Sequence, residues 1–319
     1  MNPSSHKGGT LTFGDSSTLD STDPGNTYDP FMWDLSRLYA MPLMTYKSCP
    51  GTCGLQVVPD LATGPGIIGD NGLTWTYHIQ RGVKFEDGTT VTAQDVKYAV
   101  ERTFDRSVLP DGPSYVQALL GGNAAKYPGP YQDRSKNLMG LTAISTPNRT
   151  TIVFRLAHPF ADFNYVVAIP QTAPVPPKSD SGRNYELHPL STGPYKFQSY
   201  QLNKQLTMVP NQFWKASTDP NATQLVSKIV INWNMNANDI DNRLLAGDLD
   251  VDAAGTGVQA EVRAKILSSA RLRASADDPI RGFLWFAYLN TVVKPMNNGH
   301  CGMAVEYAAD KTTPRTAAR

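Results

Sequence analysis

The chain has 319 residues, 40% of them hydrophobic and 18% charged, enough to bury a sizeable core and to form about two compact units. A formal net charge of +1 gives no electrostatic basis for nucleic acid or an anionic membrane as the partner, since both require a strong basic bias. No run of eighteen apolar residues occurs, and residues 1–9 (MNPSSHKGG) lack the apolar centre of a signal peptide, so no export address or lipidation cysteine is read in the chain.

In chain order, residues 10–13 (TLTF) alternate polar and apolar and break at Gly14-Asp15-Ser16-Ser17, the pattern of a strand entering a long polar loop. Residues 35–43 have helical spacing. Cys49 and Cys53 flank Pro50-Gly51-Thr52, where a local disulfide and two free thiols are both open, with Cys301 left over. Residues 74–79 (TWTYHI) place large side chains on one face at period two, and Glu86-Asp87-Gly88-Thr89 supplies a turn, so a hairpin is expected. Thr92 and Asp95 stand as a capping pair ahead of Val96, Ala99, Val100, Thr103 and Phe104, which predicts a helix with a narrow apolar stripe.

Strands are expected over 141–145 and 151–156, joined through Pro147-Asn148-Arg149. The four prolines of 169–178 (IPQTAPVPPK) rule out a helix interior or central strand and mark a crossing between units. Beyond it, 195–200 and 206–209 form a second hairpin pattern, and 228–233 a strand with bulky Ile229, Ile231 and Trp233. A β-α-β unit follows: helix over 239–246, Gly247 as its C-terminal cap, and a strand at Leu249-Asp250-Val251. Residues 282–290 (GFLWFAYLN) read as a buried or cleft-lining strand, and the closing TTPRTAAR has no packing pattern.

Two short motifs carry little. Gly64-Pro65-Gly66-Ile67-Ile68-Gly69 fits G-x-G-x-x-G, but a strand follows where a dinucleotide site needs a helix. Asp248, Asp250 and Asp252 resemble the start of a calcium loop, yet Ala253 and Gln259 replace its glycine and bidentate glutamate, and strand alternation accounts for them better. C-x-x-x-C without nearby partners is a poor zinc site, so neither metal nor cofactor is expected.

The stretch 75–89 (WTYHIQRGVKFEDGT), continuing through Thr92-Ala93-Gln94-Asp95-Val96, resembles the bacterial extracellular solute-binding proteins of the peptide and nickel class, which serve ABC importers. Supporting matches are Pro59-Asp60-Leu61-Ala62, Thr192-Gly193-Pro194-Tyr195, Asn211-Gln212-Phe213-Trp214 and Leu245-Ala246-Gly247-Asp248-Leu249-Asp250, in the family's order across residues 7–311. The resemblance implies an α/β, two-lobed, type II periplasmic-binding-protein-like fold, with an inserted α+β subdomain in the first lobe. The implied boundaries are 1–45 and 179–280 for the first lobe, 46–178 for the insertion, and 281–319 for the start of a second lobe, most of which is missing. Residues 301–311 resemble that lobe's first helix, with Gly302 where an arginine is usual, after which the likeness stops. A frameshifted or truncated copy, impaired in clamping a ligand and with an exposed sheet edge, is therefore expected.

The implied function is capture of an oligopeptide outside the cytoplasmic membrane, in the periplasm or anchored at the cell surface, by a monomer that delivers it to permease subunits without chemistry or nucleic acid. Dipeptides, nickel chelates and sugars remain open as alternative ligands. By position, Tyr28, Asp29, Tyr115, Phe283 and Trp285 would face the cleft. Core packing accounts better for Phe283 and Trp285, and a turn acceptor better for Asp29, while a surface aromatic accounts equally for Tyr28 and Tyr115.

A competing class is a serine esterase of the GDS type, with Ser16 as nucleophile. It needs a histidine base, commonly in D-x-x-H, and none of the five histidines has an aspartate three residues before it. A third possibility is an interaction protein that uses the first lobe alone.

Overall fold

The computed structural model describes residues 4–134, 139–253, 257–276 and 288–309. It divides into one unit over Met1–Ser275 and a second over Ala276–Arg319. In the first unit, β1 (Thr10–Gly14) is central because both its neighbours come from the far end of the unit. These are β10 (Lys228–Asn232) and β11 (Val251–Asp252), both parallel to it. Between them α5 (Ala237–Ala246) supplies the crossover that parallel strands require. It starts two residues before the expected one because Asn236 accepts from the N–H groups of Asn238 and Asp239, and it ends where Gly247 adopts φ 84°, the left-handed cap conformation.

The hairpin of β8 (Tyr195–Gln201) and β9 (Gln205–Pro210) completes a five-stranded sheet in the order β11-β1-β10-β9-β8. Its buried face packs Phe197, Leu206, Met208, Ile229, Ile231 and Trp233 against Met32, Leu35 and Tyr39. The last three belong to α1 (Pro30–Ser36) and the turn after it. The helical spacing of 35–43 is not realised as a helix. Asp29 and Pro30 start α1 earlier, and the carbonyls of Leu38 and Tyr39 instead accept from Tyr195, Thr192 and Gly193. Pro42 then disfavours helical backbone at the residue before it.

A second antiparallel sheet lies wholly within 67–155, in the order β4 (Ile67–Gly69), β5 (Thr74–His78), β7 (Thr151–Arg155) and β6 (Ile144–Asn148). Its core holds Trp75, Tyr77, Ile152, Phe154 and Phe163, covered by Val96 and Val100 of α2 (Ala93–Arg102). The reversal between β6 and β7 falls at Arg149-Thr150, because Asn148 pairs with Thr151. Pro147 sits inside β6 at a register irregularity, a place where a missing N–H is tolerated. The Glu86–Thr89 turn forms, with Phe85 N donating to Thr89 O at 2.9 Å, but it does not fold a partner back onto β5. That strand is already paired on both sides, by β4 and β7.

Between the sheets, β2 (Met44–Tyr46) pairs with β3 (Val57–Pro59), and Cys49 and Cys53 in the intervening loop are bridged, with Cα atoms 5.7 Å apart. The Gly64–Gly69 motif runs into β4 and not into a helix. Asp250 is occupied within the sheet edge, its carboxylate accepting from Thr12 N at 2.7 Å. The remaining short helices of this unit are α3 (Tyr115–Leu119), α4 (Phe163–Val166), α6 (Ala260–Ser268) and α7 (Ala270–Arg273).

In the second unit the regular element among the described residues is α8 (Gly299–Ala308), capped by Asn298, whose side chain accepts from His300 N. Most of the expected strand over 282–290 lies outside the described residues, as does the end of the 301–311 helix.

Candidate functional site

The polar loop that follows β1 is built by its own carboxylates. Asp20 accepts from Thr27 Oγ1 and Tyr28 N, and Asp23 accepts from Gly25 N at 2.9 Å, an Asx-type turn that needs no neighbour. What fixes this loop against the rest of the unit is Arg102, the last residue of α2. Its guanidinium is fully buried and pairs with Asp23 at 2.7 Å and Asp180 at 2.8 Å. It also stacks over the Tyr185 ring at 4.6 Å. Burial opposes the charge, but the two carboxylates outweigh it and hold the guanidinium above the ordinary arginine range. Tyr98 and Tyr131 donate to the same Asp180 oxygen, so that oxygen accepts from three side chains, two of them on α2.

The far end of the loop meets the segment 105–115. Asp105 accepts from Ser107 N, Arg106 donates to the carbonyls of Gly112 and Pro110, and Asp111 N donates to Asn26 Oδ1 at 2.9 Å. Gly112 is required there: a Cβ on it would run into the Gly25 carbonyl and lie 3.2 Å from Asn26 Cα. This close approach brings Tyr28 and Tyr115 together. Their hydroxyls share a hydrogen bond, and their rings lie 6.1 Å apart. Tyr28 also packs edge-on against Trp33 at 5.6 Å.

Both tyrosines remain about half exposed, Tyr28 at 51% and Tyr115 at 44%. They wall a cavity of about 310 Å³ whose floor is Arg106 and residues 111–114. Two aromatic faces, a fixed guanidinium and turn backbone in a shallow cavity suit a ligand with an extended polar chain and apolar side groups.

The N-terminal half of residues 56–315 enters this site, and that whole span matches the model of bacterial extracellular solute-binding proteins, family 5 Middle. The chain belongs to this family. Solute-binding proteins of family 5 capture ligands and are not enzymes. Among solved structures, "Clavulanic acid biosynthesis oligopeptide binding protein 2" is 40% identical, with a TM-score of 0.88 over 97% of this chain and 55% of its own. The probable D,D-dipeptide-binding periplasmic protein DdpA of Escherichia coli K12 is 25% identical over 94% of this chain and 53% of its own length. The glutathione-binding protein GsiB of Salmonella choleraesuis is 31% identical over 54% of this chain and 30% of its own. The chain thus spans about half the length of DdpA and of the oligopeptide binding protein 2, and it shares the mixed α/β fold of the latter.

Of the residues expected in the cleft, Tyr28 and Tyr115 are in contact. Asp29 is the N-cap of α1, its Oδ1 accepting from Phe31 N at 2.8 Å; burial raises its pKa despite that bond. Phe283 and Trp285 lie outside the described residues. Ser16 sits just past β1, where the adjacent Asp15 carboxylate is taken by Ser17 N and Oγ. The two histidines with side-chain hydrogen bonds, His78 to Thr151 and His188 to Glu86, lie on other elements.

Sequence reasoning missed Trp33, Arg106 and Arg102. Arg102 reads in sequence as an exposed base in the last turn of a helix, where cations are ordinary. No local signal announces that Asp23 and Asp180, distant in sequence, will bury it. Trp33 carried a weak signal, as a bulky residue in a segment following Pro30.

Proposed function

We propose that this chain is the ligand-capturing component of an ABC importer that takes up oligopeptides outside the cytoplasmic membrane. The observation that carries this reading is the meeting of Tyr28, from the loop after β1, with Tyr115, at the start of α3, over an open cavity. Residues 1–45 and 179–280 would form one lobe, 46–178 its inserted subdomain, and 281–319 the beginning of a second lobe. A peptide would lie extended over Tyr28 and Tyr115, its backbone met by receptor backbone groups, so that many side chains are accepted. The names of the relatives support a peptide-like ligand, since those proteins are described as binding oligopeptides, D,D-dipeptides and glutathione. The working form is a monomer that hands its ligand to membrane permease subunits and uses no cofactor.

Thermal denaturation in the presence of a mixed tri- to pentapeptide pool tests the reading. The expected result is a rise in Tm with peptide concentration, by mass action on the folded state. A rise caused by sugars or nickel chelates alone, with none from peptides, overturns the peptide assignment.

A further inference from the structure

A second cavity, of about 290 Å³, lies against α1 and shares no lining residue with the Tyr28–Tyr115 cavity. One wall is α1 and the residue that ends it, through Trp33, Asp34 and Arg37; the other is Tyr46 at the end of β2, Tyr165 in α4, and the Ile169-Pro170 turn. Its volume is at the small end of the range for ligand sites, the size for one ring and a short tail.

The lining has two halves of distinct chemistry. The apolar half is aromatic: the Tyr46 and Tyr165 rings lie 6.4 Å apart and tilted at 57°, and both stay about half exposed. Trp33 spends its indole N–H on Thr27 O at 3.0 Å, which leaves the ring itself as an apolar wall. The polar half is an opposed pair of charges three residues apart, Asp34 in the last turn of α1 and Arg37 at its C-cap. Arg37 Nη2 is fixed by Tyr46 O and Ser48 Oγ, both at 2.6 Å. No hydrogen bond among the described residues takes its Nη1 or Nε donors, so a pre-positioned guanidinium edge is left to accept a carboxylate. Asp34 Oδ1 stands 3.9 Å from Nη1, with its side chain 82% exposed at the rim.

We propose that this cavity binds a free aromatic α-amino acid, its ring among Trp33, Tyr46 and Tyr165, its carboxylate on Arg37 and its ammonium on Asp34. An acid and a base side by side above three aromatic faces match the zwitterionic head and single ring of such a ligand. A simple aryl acid would leave Asp34 facing its carboxylate, and an aryl amine would face Arg37 with no anion to offer. The site is independent of the peptide reading, and either can fail alone.

The test is titration of the full chain with L-phenylalanine, following the indole N–H resonance of Trp33, with 3-phenylpropionate, phenethylamine and N-acetyl-phenylalanine as comparison ligands. Saturable binding of phenylalanine is expected, at least about tenfold tighter than the ligands lacking one charge. Tyr165→Ala, at a half-exposed position, should weaken it by at least tenfold, and Asp34→Asn should abolish the preference for phenylalanine over 3-phenylpropionate. Equal binding of the charge-deleted ligands, no saturable shift at millimolar phenylalanine, or unchanged binding by the Tyr165→Ala protein would each overturn the assignment.

Discussion

Arg102 shows how a single buried charge can tie distant segments together. Removing the Arg102 guanidinium would leave Asp23 and Asp180 buried and facing each other across the vacated space. Breaking such a pair costs more than the pair itself contributes, because the surviving charges keep their desolvation penalty. Arg102→Met is therefore expected to destabilise the protein by about 3–5 kcal/mol in urea denaturation. A loss below about 1 kcal/mol would show that the buried network adds little net stability.

Asp60, just after β3, is a carboxyl with the opposite problem. Burial, then the nearby Asp219, push its pKa up from 3.8 to about 8, and the Asn221 amide offsets only part of this. Between those two values the folded chain holds a proton that the unfolded chain has lost. The resulting stability is complete below about pH 4 and drains away as pH rises toward about 8. Tm should accordingly fall between pH 5 and pH 8, and Asp60→Asn should flatten part of that slope. An Asp60→Asn protein with the wild-type slope would assign the effect to another group, with buried Glu101, raised to about 7, the first to examine.

At the scale of elements, the helix with the clearest sequence signature is also the one whose cap is visible atom by atom. Thr92 N and Oγ1 both donate to Asp95 Oδ2 at 2.7 Å. Asp95→Ala would leave the Thr92 N–H without that acceptor, at a cost of about 1 kcal/mol, or a Tm lower by roughly 2–4 °C. Asp95→Glu, which restores an acceptor at the same position, should recover most of the loss. α2 matters beyond itself because Arg102 is its last residue, so fraying at its start and loss of its end should differ in consequence: the first shifts stability alone, the second also loosens the loop that carries Tyr28.

The elements that departed from expectation share a cause. Residues 35–43 have the periodicity of a helix, but the carbonyls of Leu38 and Tyr39 are claimed by Thr192, Gly193 and Tyr195. The Glu86–Thr89 turn has the residues of a hairpin, but β5 has both edges occupied by β4 and β7. In each case local pattern lost to a backbone partner from far along the chain, and a window of ten residues contains no information about that partner.

For the molecule as a whole, the candidate site joins two parts of the chain that fold on different sheets. Tyr28 hangs from the parallel sheet of β1, while Tyr115 follows α2, which packs on the antiparallel sheet of β5 and β7. If peptide binding uses both rings together, Tyr28→Ala and Tyr115→Ala should not add. A double-mutant cycle on peptide affinity is expected to give a coupling of about 0.5–1.5 kcal/mol, the range for an aromatic pair in contact. Additive losses would mean that the two rings touch each other but not the ligand as a unit.

The sequence by itself determined the likeness to the family, the capped helix α2 and most strands of the two larger sheets, and it offered Tyr28 and Tyr115 as cleft residues. The helix and strands follow from periodicity and turn chemistry written in neighbouring residues, and the two tyrosines from their position in the family that the long motif resembles. Only the tertiary structure decided that Arg102 is buried, that Gly112 must lie against Gly25, that Asp29 caps α1, and that Trp33, Arg37, Tyr46 and Tyr165 wall a second cavity. The physical reason is that burial, charge pairing and close backbone approach are properties of residues brought together from distant positions, and local spacing does not encode which distant residue will arrive.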